Sequence, residues 1–439
     1  MKGRTMNSAL KVGAVSLGCS KNAVDTENML GELASYGFEI VPDAGLADII
    51  IINTCGFITP AKQDSIDTIL EMAEYKKTGS CRFLAVTGCL SQRYPDELRE
   101  ELPEVDMFWG VKDYPAFARE LAARFHHLVK CGTFRRLLTT PPYRAYLRIA
   151  DGCDNNCTYC AIPLIRGKRV SVPMEQLIKE ANALADSGVT ELTVIAQDTS
   201  AYGIDIYGKP MLCELLTELA RIEKLHWIRL LYTYPNTVTE KLIDTILNEE
   251  KIVNYIDMPI QHISENMLSR MNRHGSAAHI REITDYIRKK SPDFILRTTV
   301  MLGFPGETDE DFEELHAFMR EHPFDRVGAF TYSAEDGTPA ARMTGQIDQE
   351  IMDKRLDVLM RMQQGISLDS NLRRIGSRTE VLIEEVHSDY ALARSYAEAA
   401  DVDGLIRIEL NGEIYHPGDY VTIEITGADI YDLKGKPVK

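Results

Sequence analysis

Three cysteines stand close together in Asp151-Gly152-Cys153-Asp154-Asn155-Asn156-Cys157-Thr158-Tyr159-Cys160, a Cys-x3-Cys-x2-Cys run. Thiolates at this spacing can each take one corner of a cubane iron–sulfur cluster and leave its fourth iron without a protein ligand. Zinc and three plain buried thiols are the other readings. A structural zinc site usually has four ligands, often in Cys-x2-Cys pairs, and no suitable fourth residue stands nearby. An open iron matters because it can chelate a substrate. The amino and carboxylate groups of S-adenosylmethionine suit it, and an electron passed through the cluster cleaves the sulfonium to a 5′-deoxyadenosyl radical. Such a radical takes hydrogen from C–H bonds that no side-chain base deprotonates near neutral pH.

Three further cysteines are far apart in sequence but alike in position. Cys19, Cys55 and Cys89 each follow a short apolar run that reads as a parallel strand. In an open α/β sheet, ligands collect beyond the carboxyl ends of such strands, so the three thiols converge on one rim. A second three-cysteine cluster is one reading of that rim; three independent core cysteines is the other, since free cysteine is commonly buried. Cys81 starts the strand that Cys89 ends and belongs at the opposite rim. Cys131 lies beyond this series and Cys213 in a helical segment; all three read as packing residues.

Two series of strands and helices position these groups. Lys11–Gly18, Asp48–Thr54 and Cys81–Gly88 predict buried parallel strands, with helices over Asp25–Tyr36, Thr59–Tyr75 and Ser91–Glu101. That is an N-terminal open parallel α/β sheet of the doubly wound kind. After a Thr139-Thr140-Pro141-Pro142 linker, strands are expected at Arg144–Ala150, Glu191–Ala196, Trp227–Tyr232, Val253–Met258, Phe294–Met301 and Val327–Thr331. With helices between them they make six βα units, a partial barrel rather than a closed eight-fold one. A long helix over Gln349–Arg373 leaves it. From Thr379 short alternating strands predict a small C-terminal β-barrel. The domains are therefore drawn at 1–138, 139–373 and 374–439.

The 439 residues suit two to four domains, and 44% hydrophobic with 26% charged residues is globular composition. No apolar run approaches the length of a transmembrane helix, and Lys11 interrupts the N-terminal apolar stretch, so no export signal is read there. The expected location is cytoplasmic, away from membranes, and nine cysteines in such a chain favour metal or redox chemistry over disulfides. A net charge of −17 is a poor default for gripping a phosphate backbone. Much of it lies in residues 379–432, where thirteen acidic side chains face only Arg394 and Arg407. The expectation is an acidic barrel that docks a basic protein rather than tRNA.

With its two three-cysteine sites and terminal barrel, the chain resembles the methylthiotransferases of the radical S-adenosylmethionine superfamily over nearly its whole length. The resemblance covers an N-terminal methylthiotransferase domain, a radical domain and a TRAM domain. Ser16-Leu17-Gly18-Cys19-Ser20-Lys21-Asn22 with Val24-Asp25-Thr26-Glu27, and Gln197–Gly203, Asp257–His262 and Phe330–Ser333, are similar to the branch that modifies ribosomal protein. The resemblance implies two 4Fe-4S clusters. Cys153, Cys157 and Cys160 hold the one that makes the radical; Cys19, Cys55 and Cys89 hold the one that handles sulfur and methyl transfer. It implies methylthiolation at the β-carbon of an aspartate in the twelfth small-subunit ribosomal protein, at the cost of two S-adenosylmethionine molecules. An electron donor such as flavodoxin or ferredoxin and a sulfur donor are implied partners; modification of tRNA adenosine is the alternative. Ser171-Val172-Pro173 departs from the family, which commonly has Arg between serine and proline.

Other cofactor contacts are expected at Gln197, after the second barrel strand, and at Gly303, in the Leu302–Thr308 turn. That turn reads equally as a strand-to-helix connection capped by Thr308. Arg297 either points into the barrel as a cofactor contact or satisfies a core carboxylate. His262 reads as a satisfied polar core residue rather than a catalyst.

Overall fold

Four consecutive isoleucines, Ile49–Ile52, are fully buried, as a central strand covered on both faces requires. The structure is a computed structural model that describes residues 9–127, 130, 135–410 and 412–438. Those isoleucines open β3 (Ile49–Thr54) in an all-parallel sheet. Its other strands are β1 (Lys11–Ser16), β2 (Glu39–Ile40), β4 (Phe83–Gly88) and β5 (Met107–Phe108), in the order β2-β1-β3-β4-β5. Two departures from the sequence reading have local causes. β1 stops at Ser16 because Gly18 turns to φ +86 and Cys19 caps the helix Ser20–Ser35. The segment from Ser91 to Glu101 is two helices, Cys89–Arg93 and Pro95–Glu101, because Pro95 has no N–H to continue the first. Cys131 lies outside the described residues.

The second unit carries β6 (Arg144–Arg148), a hairpin of β7 (Ala150–Asp151) and β8 (Val170–Ser171), then β9 (Glu191–Ile195) and β10 (Trp227–Leu230). It continues through β11 (Tyr255–Asp257), β12 (Ile295–Leu302) and β13 (Arg326–Thr331). β6, β9 and β10 pair in parallel, as do β11, β12 and β13. A single parallel bridge, Ile228 to Ile252, joins the two halves into an open barrel. Its helices lay apolar stripes, among them Leu177, Leu215, Ile243, Ile283 and Leu315, on one continuous core.

The C-terminal unit is a closed barrel of β14 (Arg378–Val386), β15 (Tyr390–Ser395), β16 (Ile406–Glu409), β17 (Tyr420–Ala428) and β18 (Leu433–Pro437). β18 reads Leu-Lys-Gly-Lys-Pro, without a β-branched residue, which is why the pattern did not announce it. Its position between β16 and β17 closes the ring and removes the edges.

The barrel sits against the N-terminal ends of the radical-domain strands, and much of its acidity is spent there. Asp401 accepts from Arg144 at 2.7 and 2.9 Å and from the Tyr146 hydroxyl at 2.9 Å. Asp403 accepts from the Tyr255 hydroxyl at 2.7 Å, and Glu384 accepts from the Tyr143 hydroxyl at 2.9 Å and pairs with Arg394. Glu398 is bound by Arg326 and Arg374, and Arg394 crosses the seam to Glu191 at 2.5 Å. These carboxylates hold two domains together, so the barrel's acidity is divided between the seam and solvent, where Glu385, Asp389, Glu409, Glu413 and Asp429 are exposed.

Candidate active site

Each cysteine of the first triad is set by its strand end. Cys19 is the N-cap of its helix, Cys55 follows β3, and Cys89 opens the helix after β4. Glycines let these loops close. A Cβ on Gly18 would stand 2.8 Å from the Cys55 Cβ, and one on Gly56 would stand 2.7 Å from Leu90 backbone. Ser65 fixes the second loop, accepting from the Cys55 N–H at 3.0 Å and donating to its carbonyl at 2.9 Å.

The second triad occupies the loop after β7. The Cys153 N–H donates to the Gly167 carbonyl at 3.1 Å and the Thr158 N–H to the Met271 carbonyl at 3.0 Å. Gly152, at φ +73, has no room for a side chain, since a Cβ would lie 2.1 Å from the Lys168 carbonyl.

Both triads open into one cavity of about 490 Å³, lined by Cys19, Cys55, Cys89, Cys153, Cys157 and Cys160 together. Burial pushes the Cys89 and Cys160 thiols up to about 12, and neighbouring thiols push in the same direction. Burial likewise takes Cys153 to about 11 and raises Cys55. These thiols therefore hold their protons until a metal's positive charge displaces them. Among the described residues, no three His, Cys, Asp or Glu side chains stand already closed into a metal-holding group. The donor chemistry nonetheless fits open cubanes: three thiols a side, and beside the second set the Gln197 Oε1, buried in the cavity wall with no hydrogen-bond partner among the described residues. Such an orphaned acceptor suits an amino group held at an open iron.

A polar chain runs between the triads. Arg166, from the loop after Cys160, donates to Asn22 Oδ1 at 2.8 Å and to Asp25 Oδ2 at 2.8 Å, and stands 3.8 Å from the Cys89 Sγ. Its other nitrogen donates to Asp151 at 3.1 Å, and Asp151 accepts from Gln197 Nε2 at 3.0 Å. Asp25 also binds Arg148. On the far wall Arg273 donates to the Tyr159 hydroxyl at 3.0 Å and lies 3.9 Å from the Cys157 Sγ.

Backbone strain collects here. Asn156, Tyr232 and Gln261 have positive φ of 50°, 62° and 67°, and all three line the cavity. A bulky residue in that region costs roughly 1–3 kcal/mol and persists only where its surroundings enforce it. For Tyr232 they do: its N–H donates to Asp257 Oδ2 at 3.0 Å and its carbonyl accepts from the Thr199 N–H at 2.9 Å.

Gln197 thus lies at the cavity. Arg297 and Gly303 do not. Arg297 pairs with Asp257 at 2.7 Å and faces Asp403 at 3.8 Å, so the core-carboxylate reading holds. Gly303 is needed because a Cβ at its φ of +72° would stand 2.0 Å from the Met352 Cγ, and its N–H is spent on Glu307 at 2.6 Å. His262, fully buried, bonds Glu307 at 3.1 Å and accepts from the Ser264 N–H at 3.1 Å, a satisfied core residue. Cys81 and Cys213 lie away from the cavity, and Ser171, in the departing loop, donates to Asp205 at 2.6 Å.

Models of three families match the chain: the uncharacterized protein family UPF0004 over residues 11–110, the radical SAM superfamily over 147–319, and the TRAM domain over 375–438. Ribosomal protein uS12 methylthiotransferase RimO of Clostridioides difficile (strain 630) is 47% identical over 437 residues, covering 97% of this chain and 98% of that protein. Its counterpart in Geobacter sulfurreducens is 47% identical over 444 residues, with 98% and 99% covered. The chain belongs to the RimO family. Among solved structures, the radical S-adenosylmethionine methyltransferase TsrM from Kitasatospora setae, with cobalamin and a [4Fe-4S] cluster bound, superposes with a TM-score of 0.57. At 13% identity over 76% of this chain and 77% of that one, the likeness concerns fold alone.

Sequence reasoning gave no place at the cavity to Lys21, Asn22, Arg166, Tyr232 and Arg273, which line it, or to Asp25, which binds Arg166 behind it. A signal existed for Asn22 and Asp25. They lie three apart on a helix, on its buried side, where an amphipathic pattern calls for apolar residues.

Proposed function

We propose that this protein is a radical S-adenosylmethionine methylthiotransferase that replaces a C–H bond by C–S–CH3 at the β-carbon of one aspartate in the twelfth small-subunit ribosomal protein. The observation that carries the reading is the opening of two three-thiol groups, from two domains, into one cavity whose lining, among the described residues, holds no carboxylate. The RimO relatives, named for uS12, support the substrate. When bound, a 4Fe-4S cluster on Cys153, Cys157 and Cys160 supplies the electron that cleaves S-adenosylmethionine, and a second on Cys19, Cys55 and Cys89 serves sulfur and methyl transfer.

The chain's own residues do the positioning. Gln197 offers its unpaired Oε1 to the cofactor's amino group, and Asp151 fixes the amide so that this oxygen faces the cavity. Arg166 sets a fixed positive charge beside Cys89, where thiolate charge must be carried. Phe57, Ile58, Ile162 and Pro163 give the cavity apolar walls that exclude water. An electron donor such as flavodoxin or ferredoxin and a separate sulfur donor complete the reaction. The exposed acids of the terminal barrel are the charge left for a basic substrate protein, and the domains divide at 138/139 and 373/374.

The test is mass spectrometry of ribosomal proteins and of tRNA nucleosides from a strain lacking this chain and from the complemented strain. The expected result is loss and recovery of the methylthio group on the ribosomal protein with tRNA unchanged. The reverse pattern defeats the substrate assignment.

A further inference from the structure

Three cations line the cavity between the thiol triads: Lys21, Arg166 and Arg273. Arg166 is consumed by Asp25, Asp151 and Asn22. Arg273 has its nitrogens on the Tyr159 hydroxyl and, at 2.5 Å, on the Pro259 carbonyl. Lys21 differs. It is only 6% exposed, yet among the described residues its ammonium has no carboxylate and no hydrogen-bond acceptor. It lies over the face of Tyr232, with Nζ 2.9 Å from the ring centroid. An ammonium that lines the cavity and has a ring quadrupole but no anionic partner is a charge awaiting an anion.

The contact is built, not incidental. Tyr232 is the residue held at φ +62°, and its hydroxyl lies 3.4 Å from Ser20 Oγ, so two domains meet at this ring. Lys21 is two residues from Cys19, on the triad assigned to sulfur transfer, and faces the cavity shared with the radical-forming triad.

We propose that Lys21 anchors the side-chain carboxylate of the target aspartate and thereby selects aspartate over its neutral isosteres. This inference rests on the ribosomal-protein reading above. A carboxylate on Lys21 holds the reactive β-carbon one bond away, within the space between the two triads. Asparagine has nearly the same shape but leaves the ammonium unpaired.

The test compares holoenzyme acting on the substrate protein with aspartate or asparagine at the modified position, for wild type, Lys21→Met and Lys21→Arg. Binding of both substrate proteins is measured alongside turnover. For wild type, the expected preference for aspartate is about 10- to 100-fold, expressed mostly in KM and in the binding constant. Lys21→Met should bring the ratio close to one, and Lys21→Arg should restore a preference. A Lys21→Met enzyme that keeps the full preference overturns the proposal. Should that variant fail to fold or to retain iron, the wild-type arm decides: equal binding of the two substrate proteins also overturns it. A wild type that modifies tRNA and neither protein defeats the functional reading itself, and the anchor with it.

Discussion

The six cavity cysteines divide into two sets by the domain that carries them, and each set makes a separable prediction. Alanine at Cys153, Cys157 and Cys160 together should leave about half the iron of reconstituted wild type, which on the two-cubane reading is about eight per chain. That variant should cleave no S-adenosylmethionine. Alanine at Cys19, Cys55 and Cys89 should also halve the iron, yet still yield 5′-deoxyadenosine with a strong reductant while transferring no methylthio group. Iron analysis and chromatography of the nucleoside read both outcomes; full iron in the first variant sinks the ligand assignment. Spacing marked Cys153, Cys157 and Cys160; strand-end position placed Cys19, Cys55 and Cys89 on one rim but left the core-cysteine reading open, and the family resemblance chose between the two. The roles of Lys21 and Arg166 were not legible, because a charged residue on a helix or loop reads as solvated, and the helical spacing of Asp25 marks it as buried without naming its partners. What buries them is a second domain that no local pattern encodes.

Elements were legible wherever hydrophobic period decided them: the longer strands of both α/β units and the helices Ala277–Lys290 and Asp309–Glu321 follow their apolar spacing, while the two-residue strands β2, β5, β7 and β8 are too short to show one. Elements held by something else were not, as with β18, whose place comes from its ladder to β16 and β17. The long helix Gln349–Leu372 offers a test of what seats an element. Met352 packs where Gly303 has no side chain, at the end of β12. Gly303→Ala should cost about 2–4 kcal/mol, part from positive φ and part from overpacking. Met352→Ala combined with it should recover the overpacking share alone. Chemical denaturation of the two single variants and the double variant measures the coupling; strict additivity would show that the two residues do not compete for space.

Across the whole molecule, the seam between the radical domain and the terminal barrel is a network of buried charge, and its pH dependence follows. Burial alone would raise the Glu191 and Glu398 carboxyls. Arg394 and Arg229 overcome it for the first, Arg374 and Arg326 for the second, and both are held at about 2. A carboxyl depressed in the folded state stabilises fully above its unfolded value near 4.5, and that contribution drains away as pH falls toward 2. Each is worth on the order of 3 kcal/mol. Trp227 reports the event, since it meets Tyr420 of the barrel edge-on at 5.1 Å. In a Trp109→Phe background, its fluorescence should hold steady to about pH 4.5 and change between there and pH 2. A transition centred near neutrality would contradict the assignment of these carboxylates.

The same seam bears on inheritance. Three family models divide the chain as though its parts could be traded, yet the Glu191–Arg229 pair of the middle part is completed by Arg394 and by the Ser395 and Tyr396 carbonyls of the last. Asp25 of the first part likewise takes its ion pairs, among the described residues, from Arg148 and Arg166 of the middle one. A recombination event importing a foreign barrel or a foreign first sheet would strand a buried charge at the junction. The buried pairs at the junctions therefore predict that the three segments are inherited together unless both sides of a junction change at once.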